Sequence, residues 1–371
     1  MSAIQPSPAT QRTVVVSAVN LVEGGTLAVL RECLASLRGA LDAGWRIVAL
    51  VHDRALAPVA GVDYLEFPAI KASYARRLLF EYWTCRKLSR GLRADLWLAL
   101  HDLTPVVTAR RQAVYCHNPM PFHRLSWREM RLAPALIPFD LFYGLMYGIN
   151  IRRNEAVIVQ QDWLREAFRR RYGVERVIVA RPVPPARAVP AREPSPAPLF
   201  IYPTLPRVFK NVELIGEAVR LLEASSRWKG RVELTIAGTE NAYARDLHAR
   251  FGDLRTLVFL GLQTRAQMDA LYARADALLF PSRLETWGLP ITEAQGHGLP
   301  VLAADLPYAH ETVGDYPRAA FFDPADPAAL AAQMLALQDG QLAFAAAPAP
   351  AIAPPFAADW PALVRLLTAR L

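Results

Sequence analysis

The chain has 371 residues, 53% of them hydrophobic and 20% charged, with a formal net charge of +8. That length exceeds one small domain and suits two, and the apolar share is ample for sizeable cores. Three scattered cysteines, Cys33, Cys85 and Cys116, exclude a disulfide framework and a CxxC metal pair, and fit a reducing cytoplasm.

The opening "MSAIQPSPATQRT" has no apolar core of the kind a signal peptide needs. "VVVSA", Val14 to Ala18, reads as a strand. The following "TLAVLRECLASLRGAL" places Leu27, Leu30, Leu34, Leu37 and Leu41 on one helical stripe. "EGG", Glu23 to Gly25, lies between them. Gly24 and Gly25 there would let backbone approach a diphosphate closely. "RIVALV", "DLWLAL", "AVYC", "AVIVQ" and "VIVA" follow as strands alternating with helices, the rhythm of a parallel sheet covered by helices. The apolar stretch Leu132 to Ile149 is short for a membrane span and carries Pro134, Pro138 and Asp140, so no transmembrane helix is expected.

Charge is uneven. Pro121 to Arg181 holds eleven arginines and six acids, a local excess of +5. Such asymmetry points to an anionic surface or ligand; for any single arginine the plain reading is a solvated face. "RPVPPARAVPAREPSPAP", Arg181 to Pro198, is too proline-rich for a helix or inner strand and reads as a linker. A second alternating series follows through "LFIY", "RVELTIAG", "TLVFLG", "ADALLFPS" and "LPVLAA". The alanine–proline stretch Ala345 to Pro355 reads as a loop and "WPALVRLLTARL" as a closing helix. The predicted division is 1–181, a linker 182–198, 199–344, and a terminal loop and helix 345–371. The fold class is α/β, two tandem Rossmann-like doubly wound domains. Ligands of such sheets sit beyond the carboxyl ends of the strands, and two domains facing each other make a cleft for two substrates.

No GxGxxG follows the first strand and no GxxxxGK[ST] occurs, which weakens hydride-transfer and P-loop readings. No Asp-x-Asp pair occurs to hold a metal-bound nucleotide. The informative stretch is "LETWGLPITEAQGHGLP", Leu284 to Pro300. Glu285 falls in the loop after "ALLF". Pro290 marks a helix start, with Glu293 expected in the first turn. The two acids thus flank a helix N-terminus, which binds phosphate through its free N–H groups. Carboxylates on either side suit a ligand with hydroxyls at both ends and phosphates between. Taken alone, Glu293 could instead serve only the helix dipole.

Together, "LLFPS", the Glu-x7-Glu spacing, "GLP" and "GLPV" resemble the donor-binding segment of family 4 glycosyltransferases. The resemblance extends to "AVYCHNPMPF" and "AVIVQQDWLREAFRRRYGVERVIVARP". It implies a GT-B fold and roles by position. Glu293 matches the glutamate that holds the ribose hydroxyls, and Glu285 the one facing the transferred sugar. Gly288 and Leu289 match backbone donors near the sugar and diphosphate. Trp287 replaces the family's usual phenylalanine. Lys210, just before "NVELIGEAVRLL", sits where a cation beside a helix start would hold the leaving diphosphate. The family's "GR" pair is here Pro203 and Thr204, and Arg207 is the expected substitute for its charge. The resemblance places Gly24 and Gly25 toward the donor. His117, at the end of "AVYC", matches a strand-end histidine beside the donor sugar; His101–Asp102 ends another strand.

The resulting expectation is a retaining, metal-independent glycosyltransferase that moves a hexose from a nucleoside diphosphate sugar, its co-substrate, to an acceptor hydroxyl. The acceptor expected is a lipid-linked glycan or oligosaccharide for surface polysaccharide, with no bound cofactor. Localisation is expected to be cytoplasmic and peripheral on an anionic inner membrane, using the arginine-rich segment with Phe122, Trp127, Phe139, Phe142, Tyr143 and Tyr147. Two alternatives compete: a GT-B nucleotide-sugar epimerase, and a nucleic-acid binder. The latter lacks an RNA-binding aromatic motif.

Overall fold

The computed structural model describes residues 11–182, 195, 197–345 and 351–369, excluding the side chains of Phe139 and Asp140. The first ten residues, most of the predicted linker and part of the alanine–proline stretch lie outside the described residues.

The chain forms two compact units. The first holds β1 (Arg12–Ala18), β2 (Trp45–Val51), β3 (Val62–Glu66), β4 (Leu96–Ala99), β5 (Arg111–Tyr115), β6 (Ala156–Val159) and β7 (Val177–Ala180). The second holds β8 (Leu199–Tyr202), β9 (Arg231–Leu234), β10 (Leu257–Phe259), β11 (Ala277–Phe280), β12 (Val301–Ala304) and β13 (Ala319–Phe322). A last short strand, β14 (Phe356–Ala357), returns to the first sheet beside β7. The strand orders are β14-β7-β6-β5-β4-β1-β2-β3 and β10-β9-β8-β11-β12-β13, and every ladder is parallel.

Both sheets therefore reverse direction beside their first strand. In one, β1 lies between β2 and β4; in the other, β8 lies between β9 and β11. At such a reversal the two flanking loops part and leave a crevice at the carboxyl edge. The inner strands are runs of Val, Ile, Leu and Ala with almost no exposure, as sheets covered on both faces require. Each crevice thus rests on a rigid floor.

The units are not simple halves of the sequence. The first comprises Met1–Phe122, Asp140–Val183 and Ile352–Leu371; the second comprises His123–Phe139 and Pro184–Ala351. The closing helix, Trp360–Thr368, joins the first unit, where Trp360, Leu363, Val364 and Leu367 pack in one core with Leu30, Leu34 and Leu37 of helix Gly24–Ala40.

Candidate functional site

In the second unit, two loops meet at the reversal point: 203–211 after β8 and 281–288 after β11. Asn211 joins them. It is wholly buried, adopts a left-handed backbone (φ 56°), and its Nδ2 donates to the carbonyls of Pro281 (3.1 Å) and Pro324 (2.9 Å). Its Oδ1 accepts from Arg283 Nη2 at 2.6 Å. The Arg283 N–H donates to the Phe209 carbonyl at 2.8 Å, and Ser282 Oγ donates to the Leu284 carbonyl at 3.1 Å. Backbone and side chain together hold the loops in one register.

That register brings Lys210 and Glu285 into contact, Nζ to Oε1 2.5 Å. Both side chains are mostly buried. The ammonium also lies over the rings of Phe209 and Phe280, 5.7 and 6.0 Å from their centroids. The Lys210 carbonyl accepts from Tyr202 Oη at 3.0 Å, fixing the stem. An ammonium carries three N–H donors, so one bond to Glu285 leaves two for another oxygen ligand. Arg207 begins the short 3-10 turn Val208–Lys210; its side chain is exposed and, among the described residues, has no ion-pair partner.

Gly288 precedes helix Leu289–Gly296 with φ +89°, and an added Cβ would meet Phe280 Cε1 at 3.2 Å. Only glycine takes that turn without strain. At the helix start Pro290 has no N–H and the Ile291 N–H donates to the Gly288 carbonyl at 2.9 Å, so the N–H of Leu289, which is exposed there, is the leading donor the turn leaves to a ligand. Pro290 is the second helical residue, and Glu293 is the fifth. Glu293 is therefore past the first turn expected for it. The helix begins one residue before proline because Gly288, not proline, sets the entry angle. Glu293 Oε1 accepts from Arg265 Nη1 at 2.7 Å, and Oε2 from Tyr272 Oη at 2.8 Å. Neither partner was singled out in the sequence; they come from helix Arg265–Arg274, whose periodicity gave no sign of it. Glu293 shares a loop–helix unit with Glu285 but stands on separate partners.

The other helix expected to present a free start, Val212–Glu223, is partly occupied: Tyr243 Oη accepts from the Val212 N–H at 3.0 Å. Glu213 in its first turn accepts from the same hydroxyl.

In the first unit Gly24 and Gly25 open helix Gly24–Ala40 after β1, both exposed, Gly24 at φ +61° with open space around it. His117 follows β5, half-buried and stacked on Tyr115 at 4.4 Å. Its Nε2 lies 2.9 Å from the Leu100 carbonyl, which can only accept, so Nε2 carries the proton and Nδ1 is the acceptor. Burial lowers its pKa below the usual histidine range, against the opposing pull of Asp102 and the Leu100 carbonyl. His117 is thus a neutral acceptor near neutral pH.

Asp102 sets this corner. At φ 72° after β4, it accepts from Tyr143 Oη (2.6 Å), Tyr147 Oη (2.8 Å) and the N–H groups of His117 (2.6 Å) and Asn118 (3.2 Å). Burial pushes its carboxyl pKa up, but His117, the Tyr143 hydrogen bond and Arg77 hold it below the ordinary value. Behind it His101 is buried between Ser17 Oγ (Nε2, 3.1 Å) and Glu81 Oε1 (Nδ1, 3.2 Å).

Residues 187–346 match the family model described as Glycosyl transferases group 1. Over 242 residues the chain is 22% identical to the O-antigen chain mannosyltransferase RfbU of Salmonella typhimurium, 63% of each chain. It is 33% identical over 143 residues to the O-antigen chain mannosyltransferase B of Escherichia coli, 38% of this chain and 36% of that one. The matches therefore span less than two thirds of either relative. The solved sucrose-phosphate synthase of Thermosynechococcus elongatus superposes with a TM-score of 0.62 at 17% identity, covering 89% of this chain and 90% of that one. The shared architecture is an α/β GT-B fold built from two Rossmann-like units.

Proposed function

We propose that the chain is a retaining glycosyltransferase that transfers a hexose from a nucleoside diphosphate sugar to a glycan acceptor of surface polysaccharide. The single observation that carries this is the Lys210–Glu285 pair held at the β8–β11 reversal beside the Gly288 helix start. The group 1 match over the same segment supports it, as do two relatives named for O-antigen chain assembly.

The resemblance to the donor-binding segment suggests the roles, and the partners each residue keeps are compatible with them. Glu293, oriented by Arg265 and Tyr272, keeps a carboxylate available for the ribose hydroxyls. The start of helix Leu289–Gly296 and the two remaining Lys210 protons receive the diphosphate, with Arg207 adding charge. In the reaction the bond from the sugar's anomeric carbon to the diphosphate oxygen breaks. The acceptor oxygen bonds to the same face, and its proton passes to the departing diphosphate. Negative charge grows on that diphosphate, where Lys210 and the helix start stabilise it by fixed electrostatics. Glu285 faces the sugar and offsets the positive charge developing there.

The test is titration of the full chain with UDP-, GDP- and dTDP-hexoses, followed by product analysis with and without a glycan acceptor. Binding of one donor, lost in Glu293→Ala, with transfer only when acceptor is present, is the expected result. Product formed without acceptor would favour the epimerase alternative. Absence of donor binding throughout would overturn the reading.

A further inference from the structure

The second unit holds a polar groove of about 390 Å³ beside the loops 203–211 and 281–288, a volume in the range of small-ligand sites. One wall is the segment from His123 to Leu132, which belongs to this unit and includes helix Trp127–Leu132. Val208, Glu213 and Arg283 stand on the other. That second wall adjoins the Lys210–Glu285 pair. Val208 shares the 3-10 turn with Lys210. Arg283 precedes Glu285 by two residues, so their Cα atoms are at most about 7 Å apart.

The acids of the groove are already occupied. Glu129 closes a capping box on the helix: Oε2 accepts from the Ser126 N–H at 2.7 Å, and Oε1 accepts from His123 Nε2 at 3.1 Å. Burial pushes the Glu129 carboxyl up, but His123 and the Ser126 N–H outweigh it and bring it down to about 2. Glu213 accepts from the Tyr243 hydroxyl and pairs with Arg128 and Arg283, each at 3.6 Å. Arg128 also reaches Asp246 at 3.0 Å. Arg124 is the exception. It lines the groove, is exposed and, among the described residues, has no hydrogen-bond or ion-pair partner for its guanidinium. Such a planar fork matches a carboxylate through two parallel hydrogen bonds. Trp127, which falls in the chain between the lining residues Ser126 and Arg128, leaves 87% of its surface in water. A bare indole gains by covering the apolar C–H face of a pyranose ring. A free guanidinium and a bare indole beside one cavity suit a sugar that carries a carboxylate.

We propose that this groove binds an acidic sugar residue of the acceptor glycan. Arg124 pairs with its C6 carboxylate and Trp127 covers its ring, while the next hydroxyl of the glycan reaches the Lys210–Glu285 loops. The role as acceptor rests on the transferase reading; the binding of an acidic sugar does not.

The full chain, without donor, is titrated calorimetrically with three disaccharides that differ only at C6 of the terminal residue: glucuronate, glucose and glucose 6-phosphate. The glucuronate disaccharide should bind tightest. Arg124→Gln should weaken it by about 10- to 100-fold, to the level of the glucose disaccharide, and leave nucleoside diphosphate hexose binding unchanged. Trp127→Ala should weaken the glucuronate and glucose disaccharides alike, and Trp127→Phe should restore much of the loss. Arg131→Gln removes the same charge from the same helix outside the groove and should leave binding unchanged. In transfer assays Arg124→Gln should raise KM for the glucuronate acceptor and keep kcat. Equal binding of the glucuronate and glucose disaccharides overturns the proposal. So does equal loss in Arg124→Gln and Arg131→Gln, which means only net charge matters. Preference for the phosphate assigns the groove to a phosphorylated sugar and overturns the carboxylate. A chain that binds the glucuronate disaccharide but no nucleoside diphosphate hexose keeps the acidic-sugar site and loses the transferase reading.

Discussion

Lys210 keeps its ammonium between a carboxylate and two aromatic rings, where few waters compete with it. Lys210→Ala should lower kcat by about 10²–10³, roughly 2.7–4 kcal/mol, the cost of losing one well-placed donor to a developing anion. Steady-state kinetics on the folded variant check this; near-normal turnover would show that the diphosphate is held elsewhere. A second residue-scale prediction concerns Glu81 and His101. Burial pushes the Glu81 carboxyl up to about 8, opposed by Arg77, and burial with Arg77 brings His101 down to about 3. Their 3.2 Å contact looks like an ion pair, but both shifts favour the uncharged form, so the pair is neutral near pH 7. Unfolded, the carboxyl ionises near the ordinary value. Between there and about 8 the unfolded chain has lost a Glu81 proton that the folded chain keeps, so the Glu81 contribution to stability falls as pH rises, while His101, protonated only when unfolded, contributes the opposite slope below its ordinary value. Glu81→Gln should remove the first of these slopes. Wild type should lose on the order of 3 kcal/mol more than the variant across the window, read from urea titrations at several pH values.

At the scale of elements, the loops after β8 and β11 depend on Asn211. Asn211→Ala strands the carbonyls of Pro281 and Pro324 and takes away a residue type that tolerates φ 56°. It should cost about 1–3 kcal/mol in denaturant melts and reduce donor affinity through the displaced Lys210. Unchanged donor affinity would show that the loop keeps its register without it. A short π-helical turn, Phe80–Thr84, interrupts the helical run from Tyr74 to Leu92 and carries the buried Glu81. The elements legible in the sequence were those with continuous apolar runs, such as β1, β6 and β11. Of those not read, β13 has such a run, AAFF, whereas β3 and β14 lack one. β3 is a part-exposed edge strand of mixed polarity, and β14 has two residues, paired only because the chain end comes back to β7. The same divide holds in the site. Glu285, Glu293 and Gly288 carry a local spacing and could be read. Arg265 and Tyr272 meet Glu293 across 28 and 21 residues and left no local trace. Of the aromatics expected at a membrane, Tyr143 and Tyr147 turned out to be buried on Asp102, whereas Trp127 is 87% exposed.

At the scale of the whole molecule, each unit borrows sequence from beyond its own half. Ile352–Leu371 supplies the edge strand of the first sheet and the helix that covers Leu30, Leu34 and Leu37. A chain ending at Ala351 should therefore lose the first unit's cooperative transition and leave that of the second, seen as one calorimetric peak where the full chain gives both. Two preserved transitions would show the tail to be dispensable. Among the described residues no helix is long and apolar enough to cross a membrane. The tail's return also has a consequence for biosynthesis. Domains ordinarily mature in the order in which they emerge from the ribosome. Here every residue of the second unit, including His123–Phe139, has been translated before Ile352 is added. The first-made unit is thus the last to close: it waits through synthesis of its neighbour with β7 uncovered at the sheet edge, and its core is completed only after Ile352–Leu371 has been made.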